Sequence, residues 1–332
     1  MKYRNLGKTG YSVSELGFGT WGIGGQFPNL YAYGSKNDSE SKEALLRALS
    51  LGINFFDTSS SYGCGHAETL LGEVFGESRD KVFIATKGGY LEPGGSLEPF
   101  SPSGNNQSFY YKDIEDSIHR SLARLQSSYI DLFQLHDCSI EDMVGNIALF
   151  RMLAHYKKQG VLRAIGFAGK SSKDTLKALD IFDFDCVQIG FSLVDMRPLD
   201  DGLFSICQEK NIGVIARSSL AFGFISDKMR SDFPLNDHRT RFSNAQKERW
   251  SNAKQYYQNM FQQYQEASWA QKALVFPLSF NTVSTVNVGM NHAWQVEHNI
   301  SASELPHLSI EQIVSARKTY VLNYKNIPIE RI

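Results

Sequence analysis

The feature that most constrains this chain is an alternation. Short apolar runs, rich in β-branched and aromatic residues and too short for helices, are each followed by a segment with three-four helical spacing. "LGFGT" precedes "SESKEALLRALSLG", "INFFDT" precedes "HAETLLGEVFG", and "KVFIATK" precedes "YKDIEDSIHRSLARL". "YIDLFQLH", "LRAIGFAG" and "DCVQIGFS" each lead into a further helical pattern, and "IGVIARSS" and "VSTVNVGM" complete eight strand candidates. Eight β-α units imply an α/β fold of the (β/α)8 TIM barrel type rather than an open doubly wound sheet. The whole chain, residues 1–332, then reads as a single barrel domain. Gly17, Gly19 and Gly22 fit a bare G-x-G-x-x-G spacing, but no amphipathic helix opens on them, so a Rossmann reading fails its context test.

Three segments stand outside the repeat. Residues 1–16 read as an N-terminal β-hairpin turning at Gly7 to Gly10 and capping the barrel floor. Residues 88–110 and 220–245 read as long loops after the third and seventh strands, the second followed by a polar helix over 245–270. Both loops leave the C-terminal ends of strands, where barrels of this kind carry their active sites.

Composition narrows the class. Of 332 residues, 42% are hydrophobic, which supports a large core without disulfide staples. A net charge of -1 and a pI near 6.7 give no sign of nucleic acid or an anionic membrane as partner. No stretch reads as a signal core or a bilayer span, and Cys64, Cys138, Cys186 and Cys207 show no CxxC spacing. A cytoplasmic monomer or small homo-oligomer is the expectation.

Polar residues at the strand exits carry the chemistry. Asp57 ends "INFFD", with Tyr62 just beyond; Lys87 ends "VFIATK"; His136 ends "DLFQLH". Singly, each has a structural explanation: a turn aspartate, a core tyrosine, a solvated lysine, a satisfied histidine. A barrel brings all four to one rim from successive strands. There an ammonium lowers the pKa of a phenol, Asp57 holds Lys87 charged, and His136 donates to a substrate carbonyl. Such a phenol exchanges a proton with a developing alkoxide, and the hydride comes from a cofactor.

The pieces "YRNLGKTGYSVSELGFGTWGIGG", "GINFFDTSSSYG", "FIATKGG", "SLARLQSSYIDLFQLHD", "VQIGFSLVD", "GVIARSSLAFG" and "STVNVGMNHAWQVEHN" occur in the order of a known family, and the chain resembles the aldo-keto reductases over nearly its full length. The resemblance implies a TIM barrel with an extended nicotinamide dinucleotide, NAD(P)(H), across its top. It implies a tetrad of Asp57, Tyr62, Lys87 and His136, with Tyr62 the general acid/base. It assigns Thr20 and Trp21 to the nicotinamide ribose end, Gln188 to the carboxamide and Phe191 to stacking on the ring, and counts Asp57 among the cofactor contacts. Ser218, Leu220 and Gly223 match a loop over the pyrophosphate, and Gly289, Gln295 and Asn299 match the adenosine end.

The chain also departs from the family. Gly166-Phe167-Ala168-Gly169 stands where Gly-Val-Ser-Asn is common, and Ser219 replaces a common proline. The wording "VGM…QVE…N" leans toward the L-galactose dehydrogenase branch. Residues 289–299 contain no Arg or Lys, which leans to NAD(H) over NADP(H). Arg217, counted with the cofactor contacts, and Arg239 or Arg241 are the cations that can reverse that lean. Trp21, Phe27, Tyr90, Asp137, Phe191 and Phe222 suggest an aromatic-walled pocket for a small carbonyl, alcohol or sugar. Asp137 is either a hydroxyl-binding carboxylate or a loop cap. Cys64 and Cys138 read as small rim side chains or as a redox-sensitive pair. Two other classes stay open: a non-catalytic cofactor-binding barrel acting as a regulatory subunit, and a metal hydrolase, for which no His-x-His ligand pair is present at a strand end.

Overall fold

An antiparallel hairpin, β1 (Tyr3–Asn5) and β2 (Ser12–Ser14), opens the chain. It is followed by β3 (Leu16–Gly19), β4 (Phe55–Asp57), β5 (Phe83–Gly88), β6 (Ile130–His136), β7 (Leu162–Ala168), β8 (Cys186–Gly190), β9 (Gly213–Arg217) and β10 (Val283–Gly289). These last eight pair in parallel, and β10 closes on β3 to complete a barrel. The structure is a computed structural model that describes residues 1–25, 33, 37–91, 107–227, 233–235 and 237–329. Among the described residues no helix is long and apolar enough to cross a membrane.

The period of two along each strand separates lumen from helical layer. Outward residues such as Phe56, Ile84, Phe133, Ile165, Val187, Val214 and Val286 join the large core shared with the helices. Inward residues change character with height. At the floor, Phe55, Phe83, Ala85, Leu132, Ala164, Cys186 and Ile215 form a second apolar cluster, closed from below by Leu6 and Val13 of the hairpin. Two residues further along the same faces come Asp57, Lys87, Gln134, Gln188 and Arg217. The dry lower layers fix the height at which charge first appears.

The hairpin is the expected floor cap. Arg4 ties it down by donating to Glu15 and to the carbonyls of Leu278, Phe280 and Val283. Its turn passes hard against β9, so that a Cβ on Gly7 would lie 2.2 Å from the Gly213 nitrogen, and Gly7 has φ +52°.

The segment read as one polar helix is broken and two-faced. It runs as Asn244–Ser251, Ala253–Tyr257 and a 3-10 stretch Gln258–Tyr264 kinked at Phe261. Trp250, Ala253, Tyr257, Phe261 and Tyr264 are buried at three-four spacing, a stripe that the surrounding glutamines disguise. Trp250 packs against Phe222 and Phe224, so the segment buttresses the loop after β9. Two further helices, Trp269–Leu278 and Ile310–Asn323, each open on a serine capping box. Most of the loop after β5, residues 92–106, lies outside the described residues, as does Phe27; Tyr90 and Gln107 bridge its two ends.

Gly7→Ala is expected to lower stability by about 1–3 kcal/mol or more, because it adds both a steric clash and left-handed strain. The urea midpoint measures this, and a fall with unchanged slope is the expected result.

Candidate active site

The lumen's polar layer is organised around Asp57, whose side chain is almost wholly buried with that of Lys87. Lys87 Nζ donates to Asp57 Oδ2 at 2.8 Å, to the Thr58 carbonyl at 2.8 Å and to the Tyr62 hydroxyl at 3.3 Å. The other Asp57 oxygen accepts from Gln188 Nε2 at 2.7 Å and more loosely from Gln134 Nε2 at 3.5 Å. Asn287 Nδ2 donates to Oδ2 at 2.8 Å. His136 Nδ1 lies 3.1 Å from Ser59 Oγ, and its ring stands 6.1 Å from that of Tyr62. The four residues read from the strand exits therefore meet at one rim.

Electrostatics set their states. Burial works to lower the Lys87 pKa, but Asp57 and Tyr62 outweigh it, and the amine stays an ammonium. The phenol of Tyr62 departs from the sequence expectation. Lys87 and Arg217 do pull its pKa down, yet burial pushes harder and leaves it above the ordinary value, with Asp57 adding to the rise. Burial also drives His136 down to about 3, helped by Lys87, Arg217 and Lys170 and opposed by Asp137. At neutral pH the site holds an ammonium, a protonated phenol and a neutral imidazole. Where the Ser59 hydroxyl donates to Nδ1, the imidazole proton sits on Nε2.

Aromatic groups wall the mouth. Trp21 lies 6.3 Å from Tyr62, 4.5 Å from His238 and 6.5 Å from Phe222 between ring centroids. Tyr90 stands 4.8 Å from the His136 ring and donates to Asp137 Oδ2 at 3.2 Å. Asp137 has φ +56°, an uncommon backbone state for a residue beside a reactive group. Burial works to raise its pKa, but His136, Arg217, Lys170 and the Tyr90 hydrogen bond together bring it below the usual value. Arg217 leaves β9 toward the same space and donates to the Gly169 carbonyl at 3.0 Å.

Phe191 is a correction. It follows Gly190 at the end of β8, an odd step from inward-facing Gln188, and so points out of the lumen. Its ring is fully buried against Phe204, Phe276 and Phe280, where no ligand ring can stack on it. Cys138 is buried with its thiol pKa pushed well up, and Cys186 and Cys207 are likewise buried thiols. Ser59, Gln134 and Asn287 were missed in the sequence. Gln134 was legible by parity, two residues before His136, and Asn287 as the amide in the apolar run "VSTVNVG".

The rim beside this layer has the character of a binding groove. Thr20 caps β3 by donating to the Asp57 carbonyl at 3.0 Å. After β9, Ser218, Ala221, Phe222 and Gly223 all have positive φ, and the turn closes on itself, the Ala221, Gly223, Phe224 and Ile225 amides donating to the carbonyls of Ser218, Leu220 and Ala221. After β10, a side chain at exposed Gly289 would meet nothing within 4 Å. Asn287 Oδ1 and Asn291 Oδ1 are buried acceptors without a partner among the described residues. The open space over Gly289, beside the left-handed turn after β9, gives an extended ligand room along this rim. Gln295 is turned inward, its Oε1 accepting from the Asn291 and His292 amides, and Asn299 is buried.

The sequence matches the aldo/keto reductase family over residues 15–320. The NADH-specific methylglyoxal reductase of Escherichia coli (strain K12) is 31% identical over 242 residues, covering 70% of this chain and 72% of that protein. The L-galactose dehydrogenase of Arabidopsis thaliana is 28% identical over 322 residues, covering 94% of this chain and 91% of that one. The holo form of an aldo-keto reductase from Bacillus halodurans superposes with a TM-score of 0.78 at 25% identity, over 99% of this chain and 100% of its own. The barrel, its polar lumen layer and these likenesses agree: the chain belongs to the aldo/keto reductase family and is an NAD(P)-dependent oxidoreductase of the carbonyl–alcohol pair.

Proposed function

We propose that the enzyme interconverts a small polar aldehyde, ketone or sugar with its alcohol, using Tyr62 as general acid/base. The observation that carries this reading is the placement of Lys87 Nζ within hydrogen-bond reach of both Asp57 and Tyr62. In reduction, Tyr62 gives its proton to the oxygen that was the carbonyl, Lys87 stabilises the phenolate left behind, and Asp57 holds Lys87 charged. His136, neutral, donates from Nε2 to the same oxygen and orients it. A bound nicotinamide cofactor supplies or accepts the hydride. Thr20, Trp21, Ser218, Leu220, Gly223, Gly289 and Asn299 are the residues that would hold it, with Gln188 and Gln295 joining once released from their present partners.

Asp137, Tyr90 and Arg217 favour a hydroxyl-bearing substrate over an apolar aldehyde, because a carboxylate and a guanidinium face the mouth without pairing with each other. The likeness to an L-galactose dehydrogenase points the same way. NAD(H) is the favoured dinucleotide. Arg239 is held by Asp237 at 2.6 Å and Arg47 by Glu297 at 2.8 Å, while Arg217 faces the tetrad rather than the adenosine end.

Three outcomes follow. Tyr62→Phe is expected to keep the fold and cofactor affinity but lose about a hundred- to ten-thousandfold in turnover; near-normal steady-state rates would sink the assignment. Fluorescence titration with both reduced cofactors should show NADH binding at least as tightly as NADPH, and a tenfold preference for NADPH would reverse the choice. His136 has a folded pKa of about 3 against 6.5 unfolded, so it drains stability as pH falls below about 6.5 and stops doing so below about 3. His136→Asn should flatten the loss of denaturant stability across that window, and an identical slope in wild type and variant would contradict a buried neutral imidazole.

A further inference from the structure

Asp57 receives more donors than an ion pair with Lys87 needs. One of them, Asn287, comes from β10 and reaches β4 by passing over β3, the strand between them. The crossing depends on the last residue of β3. A Cβ on Gly19 would lie 2.8 Å from Asn287 Oδ1, so only glycine leaves the path open. The amide can face the carboxylate only through its nitrogen, because an oxygen there would oppose a negative charge. Its own oxygen is buried without a partner among the described residues, so the contact with Asp57 sets its orientation.

We propose that Asn287 is a positioning residue for the proton transfer, holding Asp57 Oδ2 so that Lys87 shares its ammonium between Asp57 and Tyr62. The inference rests on Tyr62 being the acid/base. Without the amide, the carboxylate concentrates its charge on Lys87, the pair closes on itself, and Tyr62 feels more of Asp57's negative charge. That charge already works to raise the phenol's pKa. The other groups around the phenol are Lys87 of β5, His136 of β6, Arg217 of β9, Tyr90 and Tyr33. Asn287 is neutral, so a change there reaches Tyr62 through Asp57 and Lys87.

The test uses Asn287→Leu, which removes the donor and keeps the branched shape, and Asn287→Ala, which removes the whole amide. Both variants should lower kcat for carbonyl reduction roughly tenfold with little change in KM for the carbonyl. The alkaline limb of alcohol oxidation should move up by about half a pH unit or more in both. The tyrosine 13Cζ resonance of Tyr62, identified by its absence in Tyr62→Phe, should shift in the cofactor-free protein. Melting curves verify the fold, and the smaller Asn287→Ala gives the answer where Asn287→Leu does not fold. An unmoved limb and an unmoved resonance in both variants would overturn the proposal. Full activity of Tyr62→Phe would instead overturn the acid/base reading itself, an outcome kept separate because the resonance is read without turnover.

Discussion

Everything at the mouth of this barrel depends on keeping two opposite charges, Asp57 and Lys87, almost completely out of water. Removing either partner of such a pair typically costs about 3–5 kcal/mol, because the other charge is then stranded. Attraction alone does not offset the loss of hydration. The site adds the Thr58 carbonyl on the ammonium, and on the carboxylate the amides of Gln188, Asn287 and, at longer range, Gln134. These donors come from β8, β10 and β6, on several sides of the lumen. A closed sheet is the arrangement that can aim all of them at one carboxylate, so the fold and the ion pair stabilise each other.

The same dryness that makes the pair expensive sets the state of its neighbours. Burial penalises an ionised phenol and a protonated imidazole alike, and in both cases it outweighs the nearby charges. Lys87 escapes because Asp57 and Tyr62 together return more than burial takes. The resting site is thus loaded with a proton on Tyr62 and none to spare on His136. In that state it is ready to donate toward a carbonyl oxygen, and burial rather than the ammonium dominates the phenol's pKa.

Much of this was legible in the chain. The eight apolar runs fell where the strands lie, because strands buried on both faces need continuous β-branched and aromatic sequence and little else produces it. Asp57, Tyr62, Lys87 and His136 stood out as polar residues ending such runs. What escaped was whatever depends on parity and on distant partners. Phe191 is aromatic and next to a strand end, yet one step of the pleat sends it into the helical layer. Asn287 looked like an ordinary strand residue until closure of the barrel brought it, across 230 positions, to Asp57. Gln295 matched a binding position but caps its own helix. The segment 245–270 hid a buried aromatic stripe among glutamines, and its kink at Phe261 has no local Pro or Gly to announce it.

The plug formed by Leu6 and Val13 gives the lumen a single opening. Nothing can leave by the floor, where the hairpin seals against apolar side chains and Arg4 bolts it to the carbonyls below β10. Two reactants must therefore share one doorway. Whichever lies deeper has to enter first and depart last, so the closed floor constrains the order of traffic.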